Sequence, residues 1–169
     1  MHTRVIRNKS LGLVTIRPLD DGDTDTVAAL FDRLGMESRA RRFNGAKPRL
    51  TPGELEQLAT VNGRQHALIA YVGDDTRPAG MAQLVRDSDQ RSHAEVAFAV
   101  ADRYQGRGIG SALVELLAAD ARAANITHLT ATTQSSNVAT CKLIRKVRAA
   151  LDIRREAGEA ILVAALEAA

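Results

Sequence analysis

Three glycines at alternate positions, in the segment YQGRGIGSAL (residues 104–113), could bind a phosphate group. A strand-like apolar run precedes them and a helical pattern follows them. No acidic residue occurs after the glycines until Glu115, although carboxylates usually collect at helix N-termini. Free backbone N–H groups and the positive end of the helix dipole favour an anion at such a position. Gly106, Gly108 and Gly110 would let that anion approach the backbone.

The spacing of these glycines differs from two well-known phosphate loops. G-x-G-x-G is not the G-x-G-x-x-G of dinucleotide-binding folds, and the chain contains no G-x-x-x-x-G-K-[ST] sequence. Arg107 adds a positive charge to the loop, and the Ser111 hydroxyl can donate a hydrogen bond. A purely structural glycine-rich turn is the alternative, but such a turn seldom needs three glycines.

Glu95 is the second candidate, because it is a carboxylate within the apolar segment His93–Val100 (HAEVAFAV). Side chains alternate between the two faces of a strand, so Glu95 shares a face with Ala97 and Ala99, which leave room beside it. Burial on such a face would raise the pKa of a carboxyl group, as a general base near neutral pH requires. The alternative is a partly exposed, structural glutamate paired across the strands with a cation such as Arg86.

The elements that position these residues are predicted from hydrophobic periodicity, capping residues and turns. Besides His93–Val100, strands are predicted over 13–19, 66–72, 79–86, 126–133, 150–154 and 160–166. Helices are predicted from Asp23 or Thr24 to Leu34, and over 39–43, 51–60, 109–124 and 137–147. The fold class is α/β (α+β): a mixed, mostly antiparallel sheet with helices on both faces.

The composition is that of one ordinary globular domain. The chain has 169 residues, a formal net charge of +3 and only 3% aromatic residues, so we expect an aliphatic, alanine-rich core. We expect residues 1–12 to be an N-terminal extension and residues 13–169 to be a single domain. The mild charge and the lack of a recognition motif argue against a nucleic-acid partner, although the charge suits a small anionic ligand.

Membrane and metal partners are not expected either. No apolar run reaches about 18 residues, and the N-terminus lacks the apolar segment of a signal peptide. The single cysteine, Cys141, suits a reducing compartment, so we expect a cytoplasmic protein with a buried, inert thiol. The histidines are scattered and no metal site is predicted; we interpret His66 and His128 as structural and His93 as a surface or capping residue.

Residues 105–110 match the [QR]-x-x-G-x-[GA] loop of the GNAT N-acetyltransferases, and the predicted element order is similar to that fold from about Leu13 to Leu166. Three segments, ESRARRF, HAEVAFAV and RYQGRGIG, resemble bacterial protein lysine acetyltransferases of the Pat type. The resemblance implies acetyl transfer from acetyl-CoA to an amine, with Glu95 as the catalytic residue. It also implies that Val100 holds the pantetheine or thioester through its backbone and that the amides of 105–111 hold the pyrophosphate. The cofactor-binding residues are then Phe98, Val100, Gln105, Gly106, Arg107, Gly108, Ile109, Gly110, Ser111 and Asn137.

The chain departs from the family beyond Asn137. Many relatives have a tyrosine seven residues after this asparagine as the general acid, whereas Ile144 stands there in this chain. The thiolate could leave without a side-chain acid, or the protein could be an acyl-CoA-binding module without turnover. We favour a protein lysine as the acceptor, with a small amine as the alternative. A homodimer is compatible with the sequence. The basic residues Lys142, Arg145 and Lys146 are either a solvated helix face or a contact for the 3′-phosphate of CoA.

Overall fold

The computed structural model describes residues 3–147 and 149–167. The strands are β1 (Arg4–Asn8), β2 (Gly12–Pro18), β3 (Gln65–Val72), β4 (Gly80–Arg86), β5 (His93–Val100), β6 (His128–Gln134), β7 (Ala149–Glu156) and β8 (Glu159–Leu166). The helices are α1 (Thr24–Phe31), α2 (Met36–Phe43), α3 (Pro52–Ala59), α4 (Ile109–Ala123) and α5 (Val138–Ile144). No helix within these described ranges is both long and apolar enough to cross a bilayer.

The strands form one sheet in the order β1-β2-β3-β4-β5-β6-β8-β7. Neighbouring strands run antiparallel except β5 and β6, which are parallel. This parallel pairing covers only His93–Glu95 against His128–Thr130, so the sheet opens between the two strands beyond Glu95. The predicted mixed, mostly antiparallel sheet is confirmed.

Helices cover both faces of the sheet, as predicted. A Cβ on Gly80 in β4 would lie 3.1 Å from side-chain atoms of Ile109 and Leu113, so α4 packs on that face. Gln83, three residues further along β4, points to the opposite face, where its Nε2 donates to the Leu58 carbonyl of α3 at 2.7 Å. The buried core between these layers is mainly aliphatic and contains many alanines.

Several local predictions are confirmed. Asp23 caps α1 by accepting a hydrogen bond from the Thr26 amide. Thr51 and Glu54 form the capping box that starts α3. Asn125 has a φ of 58°, the left-handed conformation expected after α4.

Helix and strand ends differ from the predictions where a bond outside the local pattern intervenes. The N–H of Ile126 donates to the Ala121 carbonyl at 2.9 Å. Ile126 therefore completes the end of α4, and β6 starts at His128. The α2 helix begins at Met36 rather than Arg39, and α5 ends at Ile144, where a 3₁₀ turn follows.

The N-terminal residues contribute a strand that is not predicted. Residues Arg4–Asn8 form β1, which pairs with β2 at the edge of the sheet. Its side chains are mostly exposed, so the chain shows no clear alternation of buried and exposed apolar residues there. The proposed division into an extension and a domain stays a prediction, but the sheet itself reaches back to Arg4.

Candidate active site

The segment 105–110, which we call the glycine loop, leaves a row of backbone N–H groups without an acceptor from the described part of the protein. Gly106 and Gly108 have φ values of 72° and 91°, in the left-handed region that favours glycine. Gly108 is the N-cap of α4, and this helix end has no side-chain cap and no acidic residue in its first turn. Among the described residues, none accepts a hydrogen bond from the amides of 106–111. These amides and the helix dipole form a cradle suited to a phosphate group.

Gln105 does not add its amide to this row. Its N–H donates to the Asp102 carbonyl at 3.2 Å, because a 3₁₀ turn ends there. Its side-chain Nε2 donates to the Val100 carbonyl at 3.0 Å and to the Ser38 hydroxyl at 2.9 Å. The resemblance implies a ligand contact through the Gln105 amide, and this bond makes that amide unavailable. The side chain instead ties the loop to β5 and α2.

Asn8 supports the glycine loop from β1. Its Nδ2 donates to the Arg107 carbonyl at 2.8 Å. Its Oδ1 accepts from the amides of Ser10 and Leu11 at 2.9 and 3.1 Å, which holds the turn between β1 and β2. The sequence contains no signal for this role, because the two bonded residues lie 99 positions apart and β1 is not predicted.

Gly110 allows close packing beside the loop. A Cβ there would lie 3.2 Å from both Cδ atoms of Leu143 in α5 and 3.6 Å from Cγ2 of Val100 in β5. The loop, helices α2, α4 and α5, and the end of β5 line a cleft of about 420 Å³, which we call the loop cleft. Lys142 and Lys146 line this cleft. They therefore place positive charge near its wall.

The end of β5 presents backbone groups to the loop cleft. Successive residues of a strand direct their N–H and C=O groups to opposite edges. The Ala101 amide donates to the carbonyl of Ala79, just before β4, at 2.9 Å. Phe98 and Val100 therefore direct their backbone groups to the other edge, from which β6 has diverged. Both residues line the cleft, and the Val100 carbonyl there already accepts from Gln105 Nε2. An extended ligand can therefore pair with the Val100 amide and the backbone of Phe98, much as a strand would.

Asn137 lines the loop cleft, but its side chain has partners within the protein. Its Oδ1 accepts from the Thr140 amide at 3.2 Å and so caps α5. Its Nδ2 donates to Oγ1 of Thr133 at 2.8 Å. Only 7% of the residue is exposed. These contacts indicate that Asn137 acts on the cleft mainly by fixing where α5 begins.

Glu95 lies in a second cleft that meets the loop cleft at Phe98. The second cleft has a volume of about 360 Å³ and continues along the gap between β5 and β6. We call it the acceptor cleft, because its space beside a carboxylate would suit a ligand that gives up a proton. Ala97, two residues further on the same face, also lines it, as the predicted room beside the carboxylate requires. The two clefts share four lining residues: Arg41, Arg42, Phe98 and Thr140. A carboxylate at this position can take a proton from a ligand in the acceptor cleft and return it to solvent.

The surroundings of Glu95 differ in part from both interpretations of the sequence. The side chain is exposed rather than buried, because the open sheet leaves it facing the acceptor cleft. Arg86 is not its partner, since Arg86 lies opposite Ala94 in the register and donates Nη2 to the Ala124 carbonyl at 2.7 Å. A one-residue offset in a strand reverses the face, so Arg86 points to the α4 side of the sheet.

Arg42, on α2, is a charged residue close to Glu95. Its Nη2 donates to Oε1 of Gln83 at 2.6 Å, and its guanidinium lies 5.1 Å from the centre of the Phe43 ring. Burial lowers the pKa of Arg42 to about 10, and the negative charge of Glu95 opposes that shift. The guanidinium therefore remains positively charged at neutral pH. The basic run RARRF signals a cation here, but the sequence does not indicate which of its arginines faces the cleft.

A hydrogen-bonded network holds the start of the glycine loop. The Tyr104 hydroxyl donates to Oδ2 of Asp75 at 2.8 Å, and Arg33 Nη2 donates to the same oxygen at 2.8 Å. Arg33 and Tyr104 hold the pKa of the Asp75 carboxyl well below its ordinary value. Asp75 lies in the turn between β3 and β4, so this network connects that turn to the loop.

The remaining candidates have structural surroundings. His66 Nε2 lies 3.1 Å from Oδ2 of Asp120, and the rings of His93 and His128 stack with centroids 4.4 Å apart. Cys141 is buried, as expected. Ile144 is 1% exposed and belongs to the core. Its side chain therefore supplies no acid to either cleft.

Comparison with known proteins identifies the family. The model of the Acetyltransferase (GNAT) family matches residues 33–148 of the chain. The chain belongs to the GNAT acetyltransferase family. The fold, with its glycine loop between β5 and α4, agrees with this membership. The resemblance inferred from the sequence motifs is therefore confirmed.

Individual relatives support the same placement. The chain is 30% identical over 135 residues to acetyltransferase Pat of Mycolicibacterium smegmatis, an alignment that covers 79% of this chain and 40% of that protein. It matches the crystal structure of the GNAT domain of S. lividans PAT with a TM-score of 0.86 and 25% identity, over 97% of both chains. The structure of yncA from Salmonella typhimurium, with its cofactor acetyl-CoA, matches with a TM-score of 0.67 and 19% identity, over 91% of this chain and 94% of that one. The chain thus spans about two fifths of the length of the Mycolicibacterium relative.

Proposed function

We propose that the protein transfers the acetyl group of acetyl-CoA to a primary amine, and that the amine is a protein lysine side chain. The observation that carries this proposal is the meeting of two clefts at Phe98. The glycine loop and the free edge of β5 lie on one side of this point, and Glu95 lies on the other. The acetyl-CoA named with the Salmonella neighbour supports this choice of donor.

The residues of the loop cleft fit the chemical parts of acetyl-CoA. The unpaired amides of 106–111 suit the pyrophosphate, because they offer several donors at the positive end of α4. The Val100 amide and the backbone of Phe98 suit the amides of the pantetheine arm. Lys142 and Lys146 provide positive charge for the 3′-phosphate. Asn137 contributes by holding α5 against the cleft.

Glu95 acts in this proposal as the general base. Acetyl-CoA supplies the thioester carbonyl carbon, and an uncharged amine nitrogen is needed to form a bond with it. Glu95 takes the proton from the acceptor ammonium, directly or through one water, and its exposure lets the proton pass to solvent. As the C–N bond forms, the nitrogen gives up its second proton to solvent and the C–S bond breaks. The thiolate that leaves takes a proton from water. The buried Ile144 offers no side-chain acid for that last step.

A protein lysine is the favoured acceptor for two reasons. The segments ESRARRF and HAEVAFAV resemble those of Pat-type protein lysine acetyltransferases, and the relative named acetyltransferase Pat aligns with 79% of this chain. The acceptor cleft also contains Arg41 and Arg42 with a single carboxylate, Glu95. A polyamine carries several positive charges and would be repelled by these arginines. A single lysine amine avoids most of that repulsion.

The role of Glu95 is tested by kcat/KM against pH for Glu95→Gln. We expect a decrease of at least about tenfold and loss of the dependence on a group that must be deprotonated, with unchanged affinity for acetyl-CoA. Glu115→Gln, on the exposed face of α4, is the matched control and should retain the wild-type profile. A Glu95→Gln enzyme within a few-fold of wild type at every pH would show that Glu95 is not the base.

The acceptor class is tested by separating protein from small molecules. Whole-cell lysate protein and the dialysed small-molecule fraction are incubated separately with the enzyme and labelled acetyl-CoA. We expect label on lysines of the protein fraction above the uncatalysed background. Label on small metabolites alone would refute the protein acceptor and support a small-amine N-acetyltransferase.

A non-catalytic acyl-CoA-binding module is the second candidate, and the buried Ile144 favours it. The two functions differ in thiol release. An enzyme releases free CoA when acetyl-CoA is mixed with a panel of amines and lysine peptides, whereas a module binds acetyl-CoA without release. Saturable binding with no release from any acceptor would support the module.

A further inference from the structure

The acceptor cleft holds charges of both signs on facing elements. Glu95 lies on β5, and Arg41 and Arg42 lie on α2. The other residues that line the cleft are uncharged: Phe43, Asn44, Val96, Ala97, Phe98, Ala131, Thr132, Thr133 and Thr140. An acceptor that carries one positive and one negative group would match this arrangement better than a simple amine.

Arg42 differs from the other arginines of α2 in what it contacts. Arg39 donates to the carbonyls of Pro48 and Phe31, and Arg41 forms an ion pair with Glu37. Among the described residues, Arg42 has no carboxylate within 4.0 Å. Its one side-chain hydrogen bond goes to a neutral amide oxygen. Arg42 is therefore a cation of the cleft whose charge is not matched by a carboxylate in direct contact.

The guanidinium of Arg42 is also held in one orientation. Gln83 accepts from its Nη2 at 2.6 Å, and Gln83 itself is 9% exposed and donates to the Leu58 carbonyl at 2.7 Å. The ring of Phe43 lies 5.1 Å from the guanidinium carbon. A guanidinium has further N–H donors in a planar fork, which match the geometry of a carboxylate. A fixed, partly desolvated fork binds such a group more strongly than a mobile surface arginine does.

We propose that Arg42 is a specificity-determining residue that binds a carboxylate of the acceptor, next to the amine that Glu95 deprotonates. This inference rests on the proposed acetyltransferase function. For a protein acceptor, the carboxylate belongs to an aspartate or glutamate close to the acceptor lysine. For a free amino acid, the α-carboxylate would offer the same chemistry. The acceptor is in both cases an amine with a carboxylate nearby.

The test compares lysine peptides that differ in one neighbour of the acceptor lysine. Peptides with Glu, Gln or Lys at each position within three residues of the lysine are assayed for kcat/KM by CoA release. The wild-type enzyme should favour at least one Glu peptide over its Gln counterpart by about tenfold or more, and the Lys peptide should be the poorest. Free amino acids and their amides form a second set of acceptors, which separates the two sources of the carboxylate.

Variants then assign the preference to Arg42. Arg42→Gln should reduce the Glu-to-Gln ratio to near one, and Arg42→Lys should restore part of it. Arg49→Gln, which changes an exposed arginine that lines neither cleft, is the control and should keep the wild-type ratio. The KM for acetyl-CoA should change less than the KM for the acidic peptide. A larger change in the KM for acetyl-CoA would instead place Arg42 with the donor and overturn the proposal.

The wild-type data alone can overturn the proposal, even if an Arg42 variant does not fold. Turnover at equal rates on Glu and Gln peptides, together with equal rates on free amino acids and their amides, would refute carboxylate recognition while leaving the acetyltransferase function intact. The absence of CoA release from every acceptor would refute the proposed function itself. A preference for free amino acids over both their amides and all peptides would support carboxylate recognition and would overturn the protein-lysine acceptor.

Discussion

Replacing Gly108 with alanine should weaken acetyl-CoA binding while the protein stays folded. Gly108 has a φ of 91° at the N-cap of α4. Alanine in the left-handed region costs about 1–2 kcal/mol, because Cβ approaches the following carbonyl oxygen. The new Cβ would also lie 3.2 Å from Nδ2 of Asn8, which is tighter than an ordinary contact. We expect the variant loop to relieve this strain by rotating residue 108 towards negative φ. The amides of 106–111 would then no longer converge on one anion.

The expected loss of affinity is about tenfold, which corresponds to about 1.4 kcal/mol. Any strain that the rotation does not relieve lowers the free energy of unfolding. A decrease of about 1–2 kcal/mol lowers Tm by about 2–8 °C for a chain of this length. Isothermal titration calorimetry with acetyl-CoA measures the first effect, and thermal unfolding followed by circular dichroism measures the second. Gly108→Glu should weaken binding further, since it fills the cradle with a negative charge that repels the pyrophosphate.

Gly22→Ala is the matched control for this experiment. Gly22 has a φ of 80°, has open space around it and lies between β2 and α1, where it lines neither cleft. It should lose a similar amount of stability with no change in acetyl-CoA affinity. If Gly108→Ala binds acetyl-CoA as tightly as Gly22→Ala does, the glycine loop is not the pyrophosphate site.

Two further predictions concern the residues that support the loop. Asn8→Asp keeps an oxygen for the β1–β2 turn but loses the donor to the Arg107 carbonyl. Calorimetry should therefore show that the affinity for acetyl-CoA is reduced several-fold. Unchanged affinity would mean that the loop needs no support from β1. Hydrogen bonds from Arg33 and Tyr104 lower the pKa of the Asp75 carboxyl group in the folded protein. The ionised carboxylate therefore stabilises the fold fully above the unfolded pKa of about 3.9. This stabilisation is lost as the pH falls towards the lower pKa of the folded state. Asp75→Asn should therefore be less stable than wild type near neutral pH, by about 1–3 kcal/mol, and should lose less stability on acidification below about pH 5. Urea unfolding across this range would contradict the assignment if both proteins showed the same dependence on pH.

Local signals in the sequence were sufficient for much of the fold and for part of the site. The alternating residues of His93–Val100 predict the bounds of β5 residue for residue. The left-handed φ values at residues 106 and 108 are predictable from the sequence, because glycine is the residue type that adopts this conformation most readily. The capping residues Asp23 and Thr51 likewise act on amides within three positions of themselves. These features depend on neighbours in the chain, so one sequence contains the information they need.

The tertiary structure alone determined which distant residues meet at the site. Asn8 reaches Arg107 across 99 positions, and Arg42 reaches Gln83 across 41. The surroundings of Glu95 also depend on strand order: the parallel pairing with β6 stops at Glu95, and the open gap exposes the carboxylate to a cleft that contains Arg42. Sheet order, register and the divergence of two strands arise from packing over the whole domain. No short sequence pattern encodes them, so the exposure of Glu95 and its cationic neighbour could be read only from the folded chain.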